Sequence, residues 1–270
     1  MSTMREWNWQ LSLVIPAYNE ASGIVETLGE IHEALSEFVQ EFEMIVVDDG
    51  SQDNTAEKVQ EVAAVRSGIR LIQHTKNRGY GAALSTGFQA ALYDRVAFTD
   101  ADGQFDLSDL ERLLPISLKF PIVCGFRINR QDPLLRKFYS WGYNKLVRFL
   151  LNTKVRDCDC ALKVFRKDIL GAILPKTNGF FVNAEMLCRA SQLGVPIAEI
   201  GVNHRPRRAG KSKVSLLDIP AILKILIPFW IQKSLWGISL NPSLPSAFVE
   251  SKKETSSSRE FDSLILKNPR

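Results

Sequence analysis

Val96-Ala97-Phe98-Thr99-Asp100-Ala101-Asp102-Gly103-Gln104 is a short apolar run that passes directly into an acidic, polar cluster. Val96 to Thr99 reads as a buried strand ending at Asp100. The same figure occurs twice upstream. Leu11 to Ile15 ends at Pro16 and gives way to Tyr18-Asn19-Glu20, and Phe42 to Val47 closes on Asp48-Asp49-Gly50-Ser51. Ile69 to Gln73 supplies one more strand. Between these runs the spacing is helical. Ala21 to Val39 sets Ile24, Leu28, Ile31, Leu35 and Phe38 on one face, and Thr55 to Val65 and Gly81 to Tyr93 follow suit. Strands alternating with helices predict an α/β fold, a mostly parallel sheet flanked by helices. Ligands of such sheets bind outside the carboxyl ends of the strands. The three polar clusters are predicted at those ends.

The second half is less regular. Pro121 to Gly125, Val155 to Arg166 and Ile197 to His204 read as strands, and Leu134 to Leu151 and Asn183 to Gln192 as helices. Residues 1–213 form the predicted α/β domain. Residues 214–240 form an amphipathic segment, in which Leu216 to Ile231 carries Asp218, Lys224 and two prolines and suits a membrane surface better than a span. Residues 241–270, rich in Ser and Lys, are predicted to be disordered. Met1 to Gln10 lacks the apolar core of a signal peptide, and no apolar run approaches the roughly 20 residues of a spanning helix.

The chain has 270 residues, 45% of them hydrophobic, enough for a core of ordinary size. A net charge of +4 is too mild to argue for nucleic acid. Cys124, Cys158, Cys160 and Cys188 are too sparse for a disulfide framework and fit a reducing compartment. Cys158 and Cys160 read as two reduced thiols near a strand, one of them buried.

Each polar cluster has a chemical and a plain reading. Asp100 and Asp102 flank one residue at a strand end, and in a turn both can face one cation, with Gln104 offering a third oxygen. Mg2+ is commonly held by one or two carboxylates, substrate phosphates and water. Short acidic clusters are also ordinary turn chemistry. One carboxylate of Asp48 and Asp49 can accept from a nucleobase edge or ribose, and the other can cap the helix near Thr55, a part Asp53 can also play. Asn77-Arg78-Gly79-Tyr80-Gly81 opens a helix, where free N–H groups favour anions. Arg207-Arg208-Ala209-Gly210-Lys211-Ser212-Lys213 places four cations ahead of the amphipathic segment, which suits an anionic lipid headgroup or a solvated face.

Together these strings resemble the family-2, GT-A glycosyltransferases over about residues 11 to 230. Gln104 after the acidic pair, Gly125-Phe126-Arg127 and Arg207-x-x-Gly210-x-Ser212-Lys213 are similar to the dolichyl- and polyprenyl-phosphate sugar synthases. Asp157-Cys158-Asp159-Cys160-Ala161-Leu162-Lys163 is closer to the glucose branch, which usually has Gly-Phe where this chain has Ala161-Leu162. The resemblance implies a Rossmann-like GT-A fold. It implies inverting transfer of a sugar from a UDP- or GDP-sugar to a lipid phosphate, with Mg2+ or Mn2+, at the cytoplasmic face of a membrane. It further implies that Pro16, Tyr18, Glu20, Asp49 and Arg78 line the donor site, with Asp100 near the nucleotide. Asp102 and Gln104 would ligate the metal. Arg127, Arg207, Ser212 and Lys213 would bind the acceptor phosphate or the donor diphosphate. A phosphate acceptor is already anionic and needs no base. A glycolipid or polysaccharide hydroxyl would need one, and Glu185 is then the candidate, its other reading being a helix-dipole partner.

Overall fold

The computed structural model describes residues 8–128, 134–151, 155–179 and 181–206, together with 226–228 and 230–231. Strands and helices alternate through β1 (Gln10–Ala17), α1 (Ile24–Phe38), β2 (Glu41–Asp48), α2 (Thr55–Val65), β3 (Ile69–Gln73), α3 (Tyr80–Ala90) and β4 (Arg95–Phe98). The chain continues through α4 (Leu110–Ile116), β5 (Ile122–Ile128), α5 (Leu134–Leu151), β6 (Lys163–Arg166), α6 (Lys167–Ile173), α7 (Val182–Gln192) and β7 (Ile197–Asn203). The strands form one sheet in the order β3-β2-β1-β4-β6-β5-β7. All pairings are parallel except those of β6, which runs antiparallel to both β4 and β5.

The apolar runs explain the centre of the sheet. β1 is buried from Leu11 onward and β2 from Glu43 onward, as expected of parallel strands covered on both faces. α1 buries Ile24, Leu28, Ile31 and Leu35 at helical spacing. α3 lies so close to β1 that a Cβ on Gly87 would fall 2.2 Å from Val14 Cγ1. Phe88 of α3 meets Phe98 of β4 and Phe165 of β6 edge-on, at ring separations of 5.9 and 5.8 Å.

Three expectations are corrected. The strand expected from Val155 shrinks to Lys163–Arg166. Lys163 is 1% exposed, and its ammonium binds the carbonyls of Cys158 and Cys160, so these groups are satisfied by a side chain and not by a ladder. Both thiols of that turn are buried, where one was expected. α4 and α6 were not anticipated. Each is seven residues long, and α4 contains Pro115, so neither shows a sustained helical period.

The boundary at residue 213, most of the amphipathic segment and the 241–270 tail lie outside the described residues. Within the short piece, Leu226 joins the core cluster while Ile227, Trp230 and Ile231 are exposed. Among the described residues no helix is long and apolar enough to cross a membrane.

Candidate active site

Parallel pairing brings the polar clusters to one edge of the sheet. Ala17 is level with Asp48, Asp49 N–H donates to Ala17 O at 2.8 Å, and Thr99 N–H donates to Val14 O at 3.1 Å. The loops after β1 and β2 are laced together. Asn19 takes a left-handed conformation (φ 50°) that Asn tolerates. Its N–H reaches Ser51 Oγ at 2.9 Å, and its side-chain oxygen accepts Gln52 N–H at 2.8 Å. Glu20 N–H donates to Thr55 Oγ1 at 2.9 Å, and Asp53 accepts Thr55 N–H at 3.1 Å, so Asp53 serves the start of α2. Pro16 and Glu20 are buried on this edge, and Tyr18 is half-buried.

The two acids after β2 are both engaged. Asp48 accepts from Ser51. Asp49 is 3% exposed and accepts Arg78 N–H at 2.9 Å, Gly79 N–H at 2.7 Å and His74 Nδ1 at 2.7 Å. Its carboxylate therefore fixes the turn that opens α3, while the Arg78 side chain is exposed.

The far side of that turn rests on residues 176–178. Gly81 N–H donates to Asn178 O at 2.7 Å, and a Cβ at Gly79 or Gly81 would come within 2.4 Å of Asn178 O or Thr177 O. This segment is in turn held by Glu185 of α7. Glu185 accepts Lys176 N–H at 2.9 Å, Thr177 N–H at 3.0 Å, Thr177 Oγ1 at 2.6 Å, and Arg189 Nε and Nη2 at 3.0 and 2.7 Å. Burial works against its charge, but the Thr177 hydroxyl, the Lys176 amide and Arg189 outweigh it and lower its pKa.

The acidic pair follows β4. Tyr80, the first residue of α3, donates its hydroxyl to Asp100 Oδ1 at 2.9 Å. Burial, and after it the charge of Asp102, push Asp100 up to about 7. Two carboxylates that sense each other this strongly form a donor set that a cation would stabilise. Asp102 Oδ1 accepts Gln104 N–H at 3.2 Å, and Gln104 Nε2 donates to Arg205 O at 3.2 Å. Among the described residues no group of three His, Cys, Asp or Glu side chains converges as a metal cage. Mg2+ and Mn2+ sites completed by substrate phosphate do not require one. A cavity of about 280 Å³ opens beside Asp100 toward α1, but Glu30, Glu33, Glu37 and Asp106 line it against one cation, Arg205, already paired with Glu30 and Asp106, which does not suit a diphosphate.

Two cations stand behind the pair, Lys163 buried and Arg127 half-buried. Lys163 faces Phe98 across the β4–β6 register. Arg127 forks onto Asp157, Nε to Oδ2 at 2.7 Å and Nη2 to Oδ1 at 2.8 Å. Burial opposes the Arg127 charge, yet Asp157 overrides it and raises its pKa further. Arg207, Ser212 and Lys213 lie outside the described residues. Sequence reading did not give Tyr80, His74 or Asp157 a partner on this edge, because Asp100, Asp49 and Arg127 lie 20, 25 and 30 residues away. Glu185 was read as a candidate base, and its partners Lys176, Thr177 and Arg189 lie four to nine residues off.

With this geometry in view, the profile described as Glycosyl transferase family 2 matches residues 12–174. The chain belongs to that family. The chain is 31% identical over 229 residues to the undecaprenyl-phosphate 4-deoxy-4-formamido-L-arabinose transferase of Aeromonas hydrophila, covering 80% of this chain and 66% of that one. It is 32% identical to the glycosyltransferase AglD of Haloferax volcanii, covering 87% of this chain and 38% of AglD. It is 30% identical to the dolichyl-phosphate beta-glucosyltransferase of Dictyostelium discoideum, covering 73% and 66%. The chain thus spans less than two thirds of these relatives' lengths. Among solved structures it resembles glucosyl-3-phosphoglycerate synthase of Mycobacterium tuberculosis in complex with Mn2+, UDP and glucosyl-3-phosphoglycerate. The TM-score is 0.60 and the identity 21%, over 83% of this chain and 79% of that one. This likeness establishes the fold.

Proposed function

We propose that the transferase moves a hexose, with inversion, from a nucleotide sugar of the UDP-glucose or GDP-mannose class to a polyprenyl or dolichyl phosphate, using Mg2+ or Mn2+. The observation that carries the acceptor class is the state of Glu185. Glu185, the acid that the resemblance offers as a base for a hydroxyl acceptor, accepts five hydrogen bonds and is 1% exposed. It has no lone pair to spare for an incoming proton. A phosphate oxygen needs no deprotonation. It attacks the anomeric carbon from the face opposite the nucleoside diphosphate, and the old C–O bond breaks with its electron pair on the diphosphate.

Each part of the edge then has a task. Pro16, Tyr18, Glu20, Asp49 and Arg78 form the donor side, with Asp49 acting through the turn it holds. Asp102 and Gln104, beside Asp100, hold the cation. When bound, the cation offsets the negative charge that develops on the leaving diphosphate. Tyr80 fixes the Asp100 carboxylate. Arg127 sets a positive field behind the reacting groups, and Arg207, Ser212 and Lys213 take the acceptor phosphate. Residues 214–240 lie on the cytoplasmic face of the membrane that supplies the lipid. Two of the relatives, whose names carry undecaprenyl phosphate and dolichyl phosphate, support the acceptor class.

The test is incubation with Mn2+ or Mg2+, labelled UDP-glucose or GDP-mannose, and a polyprenyl phosphate. Label should enter the lipid phase. No transfer from any common nucleotide sugar would refute the proposal.

A further inference from the structure

The loop that carries Asp102 and Gln104 is braced by Arg205, just past the end of β7. Arg205 and Gln104 bond to each other in both directions. Arg205 N–H donates to Gln104 O at 2.8 Å, and Gln104 Nε2 donates to Arg205 O at 3.2 Å. Beside them Phe105 and His204 form an antiparallel bridge, and their rings meet edge-on at 5.4 Å. The Arg205 guanidinium closes the figure. Nη2 donates to Asp106 Oδ2, and Nη1 lies 3.8 Å from Glu30 Oε2 of α1. Asp106 is itself fixed, because Oδ1 accepts Ser108 N–H at 3.2 Å and Ser108 Oγ at 2.7 Å. Burial works against the Asp106 charge, but Ser108 and Arg205 outweigh it and lower its pKa.

An amide that gives its NH2 to a carbonyl keeps its oxygen for another partner. The Arg205 carbonyl therefore decides which end of Gln104 is offered to a cation, and the guanidinium decides where that carbonyl sits. A plain charge effect would have the opposite sign. Among the described residues that line the cavity beside Asp100, Arg205 is the one cation, facing Glu30, Glu33, Glu37 and Asp106. Its field repels a metal ion. If charge were its whole contribution, removing it would tighten cation binding. If it positions Gln104, removing it loosens cation binding in spite of the gain in negative charge.

We infer that Arg205 is a positioning residue for the cation site. Its clamp on Asp106 and Glu30 holds the carbonyl that orients the Gln104 amide. The inference rests on the proposed assignment of the cation to Asp102 and Gln104, and extends that site to a residue 101 places beyond Gln104 in the chain.

The experiment is titration of the full chain with Mn2+ under saturating UDP and, separately, GDP, followed by the electron paramagnetic resonance signal of free Mn2+. It needs no turnover. Arg205→Met, Arg205→Lys, Asp106→Asn and a control, Glu37→Gln, are compared with the parent. Changing a residue that orients a metal ligand typically costs about 10–100-fold in affinity. This clamp is partly exposed and acts through a backbone carbonyl, so Arg205→Met should weaken Mn2+ binding by about three- to tenfold. Arg205→Lys should fall between it and the parent. Asp106→Asn can keep Oδ1 on Ser108 while setting an NH2 against Arg205, so it should weaken binding to a similar extent. The two changes together should cost no more than the worse one alone, because they break one clamp. Glu37→Gln removes a charge from the same cavity without touching the clamp, and should move Mn2+ affinity by less than about twofold. All should melt within a few degrees of the parent, since ion pairs this exposed add little to stability. If one of Arg205→Met and Asp106→Asn is unstable, the other decides the question alone. Mn2+ affinity that is unchanged or higher in Arg205→Met overturns the inference, as do losses in Arg205→Met and Asp106→Asn that simply multiply. A parent that binds no Mn2+ with either nucleotide refutes the cation assignment itself, and the inference falls with it. A parent that binds Mn2+ no better than Arg205→Met refutes the inference alone.

Discussion

Replacing Glu185 by Gln separates two roles for this residue. The carboxylate holds Lys176, Thr177 and Arg189 with two oxygens. The amide keeps one oxygen. Placed at Oε1, that oxygen retains the Lys176 amide and Arg189, while the new NH2 faces Thr177. The Thr177 hydroxyl can turn and accept, but the Thr177 N–H is left against another donor, at a cost of about 1–3 kcal/mol. Arg189, 4% exposed, loses its counter-ion. Breaking a buried pair by removing one charge costs about 3–5 kcal/mol, and this dominates. At roughly 2–4 °C per kcal/mol for a domain of this size, Glu185→Gln should lower the melting temperature by about 6–20 °C. Residues 176–178 would shift against Gly79 and Gly81, so the KM for the nucleotide sugar should rise. The kcat of the folded fraction, assayed well below the melt, should stay within about tenfold. A general base behaves in the opposite way. Its loss would lower kcat by about 10²–10⁴ with donor KM unmoved. A Gln variant as stable as the parent, with kcat down a hundredfold, would refute the positioning role and favour a hydroxyl acceptor.

Other outcomes follow from the same contacts. Gly81→Ala places a methyl 2.4 Å from Thr177 O, so it should cost about 1–3 kcal/mol in denaturant unfolding and raise donor KM, reproducing part of the Glu185 effect. Folding lowers the pKa of Glu185 and of Asp157, so their stabilisation is complete above the ordinary carboxylate values of 4.5 and 3.8 and is lost as pH falls through the depressed folded values. Unfolding curves should therefore weaken below about pH 4, and Asp157→Asn should flatten that dependence while costing about 3–5 kcal/mol at neutral pH. Asp102→Ala should abolish the part of UDP or GDP affinity that depends on Mn2+, measured by calorimetry with and without the ion. An unchanged Mn2+ dependence would remove Asp102 from the cation site.

Most of the site's scaffold was legible in the sequence because it rests on local signals. The apolar runs of β1, β2 and β4 each end in polar residues, and parallel pairing then places Tyr18, Asp49 and Asp100 on one edge. What was not legible depends on long-range pairing. The resemblance makes Arg127 a phosphate ligand, and the fold also forks its guanidinium onto Asp157, thirty residues away. Asp49 reads as a pocket acid, yet His74 and the α3 turn occupy it. The single antiparallel strand β6 was hidden by its length of four residues and by a buried lysine that broke the expected strand. Glu185 carried two equal readings in sequence, and the burial of Arg189 four residues on tips the balance toward positioning.

The central claim is that the acceptor brings its own negative oxygen, so the site needs no base. The most direct measurement compares two acceptors of the same chain length, a polyprenyl phosphate and the corresponding polyprenyl alcohol, with Mn2+ and a labelled nucleotide sugar. Label should pass to the phosphate and not detectably to the alcohol, in the parent and, at reduced donor affinity, in Glu185→Gln. Equal transfer to the alcohol, abolished by Glu185→Gln, would contradict it.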